Sequence, residues 1–334
     1  MGMHRVGVIG CRGIGVAHAS GLEGIEGKAT LIAGCDLSED QLAEFKARWA
    51  DNWPDLKLYT SHREMLEKEN LDVVTVATSD HRHADLVVDA AEAGVKGIFC
   101  EKPMATNLTD ADRMVEACER NGTILSIDHT RRWMPLWRYA KTEIVDKSVI
   151  GPVRNVISTL YGPRAMLFRN GTHMIDAICY FAGSEPEWVF AELEEGYEDY
   201  TEYRGDGGHE PRTEPGAHGY IHFANGVRGI FMGGPKDTPA PKTRIEVVCA
   251  GGYILIDNEK AEIIREDGTE TVEAPEWSVT GIPAGVQELI EVIDGGGEPV
   301  SPGREALKVV EIMIGFLESQ KQGNTRVALP LLRD

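Results

Sequence analysis

The chain has 334 residues, 42% of them hydrophobic and 26% charged, which is ordinary globular usage and long enough for two domains of roughly 100–200 residues each. With 54 acidic against 34 basic side chains the formal net charge is -20, so a polyanionic partner is repelled over most of the surface and nucleic acid binding is not expected. No apolar run reaches the length of a membrane span, and the scattered cysteines, with no C-x-x-C pair or zinc-like spacing, predict a cytoplasmic protein with reduced, buried thiols and no metal site.

The opening "MGMHRVGVIG" enters a strand almost at once, so no signal peptide is expected. A helix over "GVAHASGLEG" and a second strand, "ATLIAGCD", follow. The next helix, "SEDQLAEFKARWA", starts with Ser38 as N-cap and has Gln41 three residues on. The same alternation recurs in "DLKLY" with "SHREMLEKEN", "LDVVTVAT" with "HRHADLVVDAAEAG", and "VKGIFCEKP" with "LTDADRMVEACERNG", ending near "TILSID". Strands that are apolar throughout and separated by helices predict a doubly wound parallel α/β sheet over residues 1–126.

Residues 127–334 read differently. A helix through "RWMPLWRYAKTEIVDKS" precedes strand-like segments joined by short turns such as "ANG" and "AGG", which imply hairpins and a mainly antiparallel sheet. Helices over "GTHMIDAICYFAG", "PAGVQELIEVIDGG" and "GREALKVVEIMIGFLESQKQG" complete an α+β domain. The polar stretch "GYEDYTEYRGDGGHEPRTEPG" is expected to be a long surface loop.

A dinucleotide fingerprint G-x-G-x-x-G needs a tight reversal, close backbone approach to pyrophosphate and close helix packing. Gly10 and Gly15 meet the first and third needs, while the middle position is Arg12. If the reversal shifts by one residue, Gly13 can supply the permissive dihedral, with Arg12 outward or towards a phosphate and Ile14 opening the helix. Such a loop alone suits a purely structural turn equally well. Asp36, 21 residues past Gly15 at the end of the second strand, adds the acid that accepts hydrogen bonds from ribose hydroxyls. A carboxylate there repels a 2'-phosphate, so NAD is favoured over NADP. As the alternative, Asp36 leads the following helix as a cap.

The segment "LDVVTVATSDHRHADLVVDAAEAGVKGIFCEKPMATNLTDADRM" resembles the Gfo/Idh/MocA family of nicotinamide-dependent sugar and polyol oxidoreductases, and the likeness continues through "RRWMPLWRYAKTEIVDKSVIGPVRNV" and "RNGTHMIDAICYFAG". The resemblance implies a Rossmann domain followed by an open-faced sheet that commonly forms a dimer or tetramer interface. It places Lys102 of "EKP", with Glu101, near nicotinamide and substrate, and Thr78, Asp80 and His83 along the cofactor. His81 and His83 equally suit a helix start. Lys102 can hold positive charge beside a developing alkoxide at the carboxyl edge of the sheet. In "RNGTHMID" the resemblance makes His173 the acid/base and Asp176, three residues on and on the same helix face, a substrate-holding acid. Arg169 stands where many family members carry aspartate, and with Arg164 it is read as a clamp for an anionic substrate group. The implied activity is hydride transfer between NAD and a secondary hydroxyl of a sugar, glycoside or cyclitol. The alternatives are an NAD-dependent glycosidase working by transient oxidation and elimination, and a non-catalytic NAD-binding regulator.

Overall fold

A computed structural model describes residues 2–204, 210–238 and 242–333. They form two compact units. The expected surface loop over 196–216 includes 205–209, which lie outside the described residues.

The first unit is built on six parallel strands in the order β3-β2-β1-β4-β5-β6, the arrangement of a Rossmann sheet. In chain order its elements are β1 (His4–Ile9), α1 (Ile14–Ser20), β2 (Ala29–Cys35), α2 (Glu39–Trp49), β3 (Lys57–Tyr59), α3 (His62–Glu69), β4 (Val73–Val76), α4 (His83–Glu92), β5 (Gly97–Cys100), α5 (Leu108–Asn121) and β6 (Ile124–Ile127). Both faces are covered, so β4 and β5 are buried at every residue and show the continuous apolar runs seen in the sequence. Ser38 caps α2 by accepting from the Gln41 amide at 3.3 Å. Its own amide donates to Asp36 Oδ1 at 3.0 Å.

The second unit opens on α6 (Pro135–Tyr139), which runs into a π-helical turn over Ala140–Val145. The single helix expected over 132–148 is thus interrupted. Proline forces Met134 out of the helical region, leaving it extended at φ -97° and ψ 129°. There follow β7 (Val153–Tyr161), α7 (Gly171–Ala182), β8 (Pro186–Leu193), β9 (Ala217–Phe223), β10 (Arg228–Gly233), β11 (Lys242–Cys249), β12 (Gly252–Ile256), β13 (Ala261–Arg265) and β14 (Gly268–Thr271). The sheet order is β14-β13-β12-β11-β7-β10-β9-β8-β15, where β15 is the short strand Val327–Ala328. All pairs are antiparallel except β10 with β7. The "ANG" and "AGG" turns join β9 to β10 and β11 to β12 as hairpins.

Two more helices complete the chain, α8 (Ile282–Gly295) and α9 (Gly303–Lys321). On sequence position α8 falls in the second domain, but residues 279–304 belong to the first unit. The absence of a side chain at Gly97 makes room for this packing: a Cβ there would come within 2.7 Å of Ile293. His4 Nε2 contacts Asp294 Oδ1 at 2.8 Å from the start of β1. No described helix is long and apolar enough to cross a membrane. All six cysteines are buried and free.

Candidate active site

Every candidate cofactor residue follows the carboxyl end of a parallel strand, which is the ligand-binding edge of an open α/β sheet. After β1 the chain reverses at Gly10, with φ 92°, and a Cβ there would lie 2.2 Å from the Ala77 carbonyl oxygen. Gly15 packs so closely on the turn that a Cβ would sit 1.7 Å from the Gly10 oxygen. Gly13 differs, because nothing lies within 4 Å of its Cβ position. Its glycine is required by the backbone instead, at φ 49° and ψ -107°. Arg12, Gly13 and Ile14 are exposed, and the positive φ falls at position 13, one residue past Arg12.

Asp36 ties this turn to the second strand. Its Oδ2 accepts from the Cys11 amide at 2.9 Å while Oδ1 accepts from Ser38. Ser38, not Asp36, is the cap of α2, and a carboxylate with two acceptor oxygens retains lone pairs for further donors.

After β4 and β5 the residues separate into outward and inward sets. Thr78 and Lys102 are half-buried at the two loops, and the Lys102–Pro103 peptide is cis. His83, expected along the cofactor, is buried instead. Its Nδ1 lies 3.0 Å from the Pro103 oxygen and Nε2 3.2 Å from the Thr78 oxygen, so the ring sits between the two loops, and as a neutral imidazole it donates to one of these carbonyls. Burial pulls its pKa below the usual imidazole value. Asp80 is buried as well and accepts from the His81 amide at 3.2 Å. Glu101 also turns inward: its Oε1 is 3.3 Å from Nε2 of fully buried His18. Glu101 and His83 thus contact groups within the two loops and α1.

In the second unit His173 stands half-buried in the first turn of α7, its amide donating to the Asn170 oxygen at 3.2 Å. Asp176 is expected to hold substrate; in the structure its carboxylate is engaged by an arginine. Asp176 is buried and accepts a bidentate pair from Arg132, Nε to Oδ2 at 3.0 Å and Nη2 to Oδ1 at 2.7 Å. Burial opposes charge on Arg132, yet the Asp176 carboxylate raises its pKa above the ordinary arginine value. The Arg132 guanidinium also lies over the Tyr180 ring at 4.6 Å.

Arg164 is exposed and Arg169 half-buried. Asn170 Nδ2 donates to the Arg164 oxygen at 2.7 Å. The Phe168 and Arg169 amides donate to the two oxygens of buried Glu214, at 3.2 and 2.9 Å. Arg132, Glu214 and His18 are partners of these groups that the sequence did not single out. The "RRW" doublet carried a signal for Arg132, whereas Glu214 lay in a polar stretch without periodicity.

Residues 4–129 match the family model described as an oxidoreductase family with NAD-binding Rossmann fold, and residues 138–255 match a GFO/IDH/MocA C-terminal domain. The chain is 32% identical to a myo-inositol 2-dehydrogenase of Thermotoga maritima over 76% of its own length and 75% of that protein. It is 27% identical to a D-apiose dehydrogenase of Paraburkholderia graminis over 95% and 88% of the two chains. An aldose-aldose oxidoreductase from Caulobacter crescentus, solved with glycerol, superimposes with a TM-score of 0.83 at 20% identity, over 98% of this chain and 100% of that one.

Proposed function

The chain belongs to the Gfo/Idh/MocA oxidoreductase family, and from that premise we propose that it is an NAD-dependent dehydrogenase of a secondary hydroxyl on a sugar, glycoside or cyclitol. The glycine turn fits a dinucleotide because Gly10 and Gly15 leave only backbone where a Cβ would intrude, and Gly13 opens exposed backbone at the edge of the sheet. Gly10, Arg12, Gly13, Ile14 and Gly15 would hold the pyrophosphate, and Asp36 the ribose. The carboxylate of Asp36 disfavours a 2'-phosphate and so NADP. When bound, NAD supplies the hydride acceptor.

Lys102 hydrogen-bonds the reacting hydroxyl and stabilises negative charge developing on its oxygen. His173 accepts the hydroxyl proton, a task suited to an imidazole near neutral pH. The Arg132–Asp176 pair fixes the buried side of α7, one turn from His173. Arg169 and Arg164 receive an anionic substituent, for which a uronate carboxylate is the simplest candidate. The names of the two curated dehydrogenases support the sugar or cyclitol class.

The observation that carries this reading is the presence of "EKP" after β5 together with a half-buried histidine opening α7. It is tested by NADH absorbance with a panel of inositols, aldoses and uronates. Lys102→Ala and His173→Ala are each expected to lower kcat/KM by about 100- to 10,000-fold. A wild-type protein that binds neither NAD nor NADP and reduces neither with any member of the panel would refute it.

A further inference from the structure

Beneath the turn that carries Lys102, three elements of the first unit each bury an ionisable side chain at one point. They are His18 from α1, Glu101 after β5 and Asp128 after β6, exposed by 0, 7 and 1%. Their polar ends all lie within 4.8 Å of one another. Nε2 of His18 is 3.3 Å from Glu101 Oε1, and Thr130 Oγ1 donates to Asp128 Oδ1 at 2.9 Å. Among the described residues no hydrogen-bond donor reaches Asp128 Oδ2, which is fully enclosed.

Two carboxylates this close and this buried do not both ionise, because burial penalises each charge and their repulsion is poorly screened. A neighbouring cation could relieve them, but His18 is a poor one. Burial pushes its pKa down to about 4, and the Phe99 ring packs edge-on against it with centroids 5.1 Å apart. The Cys100 thiol, also close to Asp128, is driven well above its ordinary value by burial and stays neutral.

We propose that Glu101 and Asp128 hold one proton between them, Asp128 being the neutral acid that donates to Glu101, and that Asp128 is thereby a positioning residue for Lys102. The path is short. Glu101 and Pro103 flank Lys102 in sequence; Asp128 and His18 hold the first side chain, and His83 lies against the Pro103 carbonyl. Burial first, and then the charge of Glu101, raise the Asp128 carboxyl well above the ordinary carboxylate range, in accord with this assignment. The functional half of the proposal rests on Lys102 acting at the substrate; the proton itself does not.

The first test is spectroscopic and independent of any substrate. Infrared spectra of the wild type at about pH 8, where ordinary carboxyls are ionised, are expected to show a protonated carboxylic-acid carbonyl band. The band should shift on isotopic labelling of aspartate carboxyls and vanish in Asp128→Asn. The second test is thermal. An acid whose folded pKa is raised contributes stability that is complete below its unfolded pKa and lost as pH rises towards the folded value. The Tm of the wild type relative to Asp128→Asn should therefore fall from about pH 4 upward.

The third test is kinetic. Asparagine keeps an N–H donor towards Glu101 and should rescue turnover, while Asp128→Ala should lower kcat about 10- to 100-fold. A missing carbonyl band, a folded Asp128→Asn as impaired as Asp128→Ala, or a stoichiometric divalent cation found by elemental analysis of the wild type would each overturn the proposal. If no sugar is oxidised but the band is present, the proton assignment stands and the substrate reading fails.

Discussion

At the scale of single residues, the structure separates candidate side chains left partly exposed from those held by buried partners. Asp176 and Arg132 show the difference. An acid three residues past a histidine on one helix reads as a second contact to substrate, yet both of its oxygens are bonded to a buried guanidinium. Removing one partner strands the other charge, so Asp176→Ala or Arg132→Ala is expected to cost about 3–5 kcal/mol of stability. Urea unfolding of both single variants and of the double variant measures this. The double should lose less than the sum of the two. Arg132→Lys should not restore stability, because an ammonium cannot make the parallel pair of hydrogen bonds. An unchanged urea midpoint with a raised KM would instead return Asp176 to the substrate.

At the scale of elements, the turn between β1 and α1 shows how a departure from a motif is accommodated. Its glycines serve unlike purposes, and the substitutions should fail in unlike ways. Gly15→Ala drives a methyl into the Gly10 carbonyl, backbone that has nowhere to move. Weaker NAD binding, read by fluorescence titration, should accompany the loss of stability. Gly13→Ala meets open space but must adopt φ 49° with ψ -107°; the expected cost is about 1–3 kcal/mol of backbone strain. The cap of α2 was legible in the sequence because Ser38 needs only an amide three residues away. Its N–H going to Asp36 was not, because that contact depends on how the end of β2 turns.

At the scale of the whole chain, the nine-stranded sheet carries a strip of aromatic and aliphatic side chains on one face. Cross-strand registry aligns Phe190, Tyr220, Ile230 and Ile157 in one row and Trp188 with His222 in the next. Their rings stack: Trp188 on His222 at 5.0 Å, and Phe190 on Tyr220 at 5.5 Å. The opposite face is packed by α7 and α9, where a Cβ at Gly229 would meet Ile178 and one at Gly219 would meet Phe316. Phe190 and Tyr253 remain 43% and 37% exposed, consistent with the proposal that this face joins copies of the chain as a homodimer or homotetramer. Phe190→Glu is expected to shift the sedimenting mass towards the monomer. With a net charge of -20 per chain, association should strengthen as salt rises from low ionic strength. A single-chain mass at every concentration and salt would argue against the assembly.

Hydrophobic periodicity, glycine turns and the "EKP" and "GTHMID" segments by themselves specified a Rossmann unit, a mainly antiparallel sheet unit and the residues lying at strand and helix ends. These features are local: alternation, turn chemistry and capping act over a few residues, and the sequence carries them directly. Tertiary structure decided that α8 returns to the first unit, that β10 runs parallel to β7, and that Glu101, His83 and Asp176 are buried against partners within the chain. Each of these depends on partners distant in sequence, such as Asp176 and Arg132, 44 residues apart. Burial and charge balance set their direction only once the chain has brought those partners together.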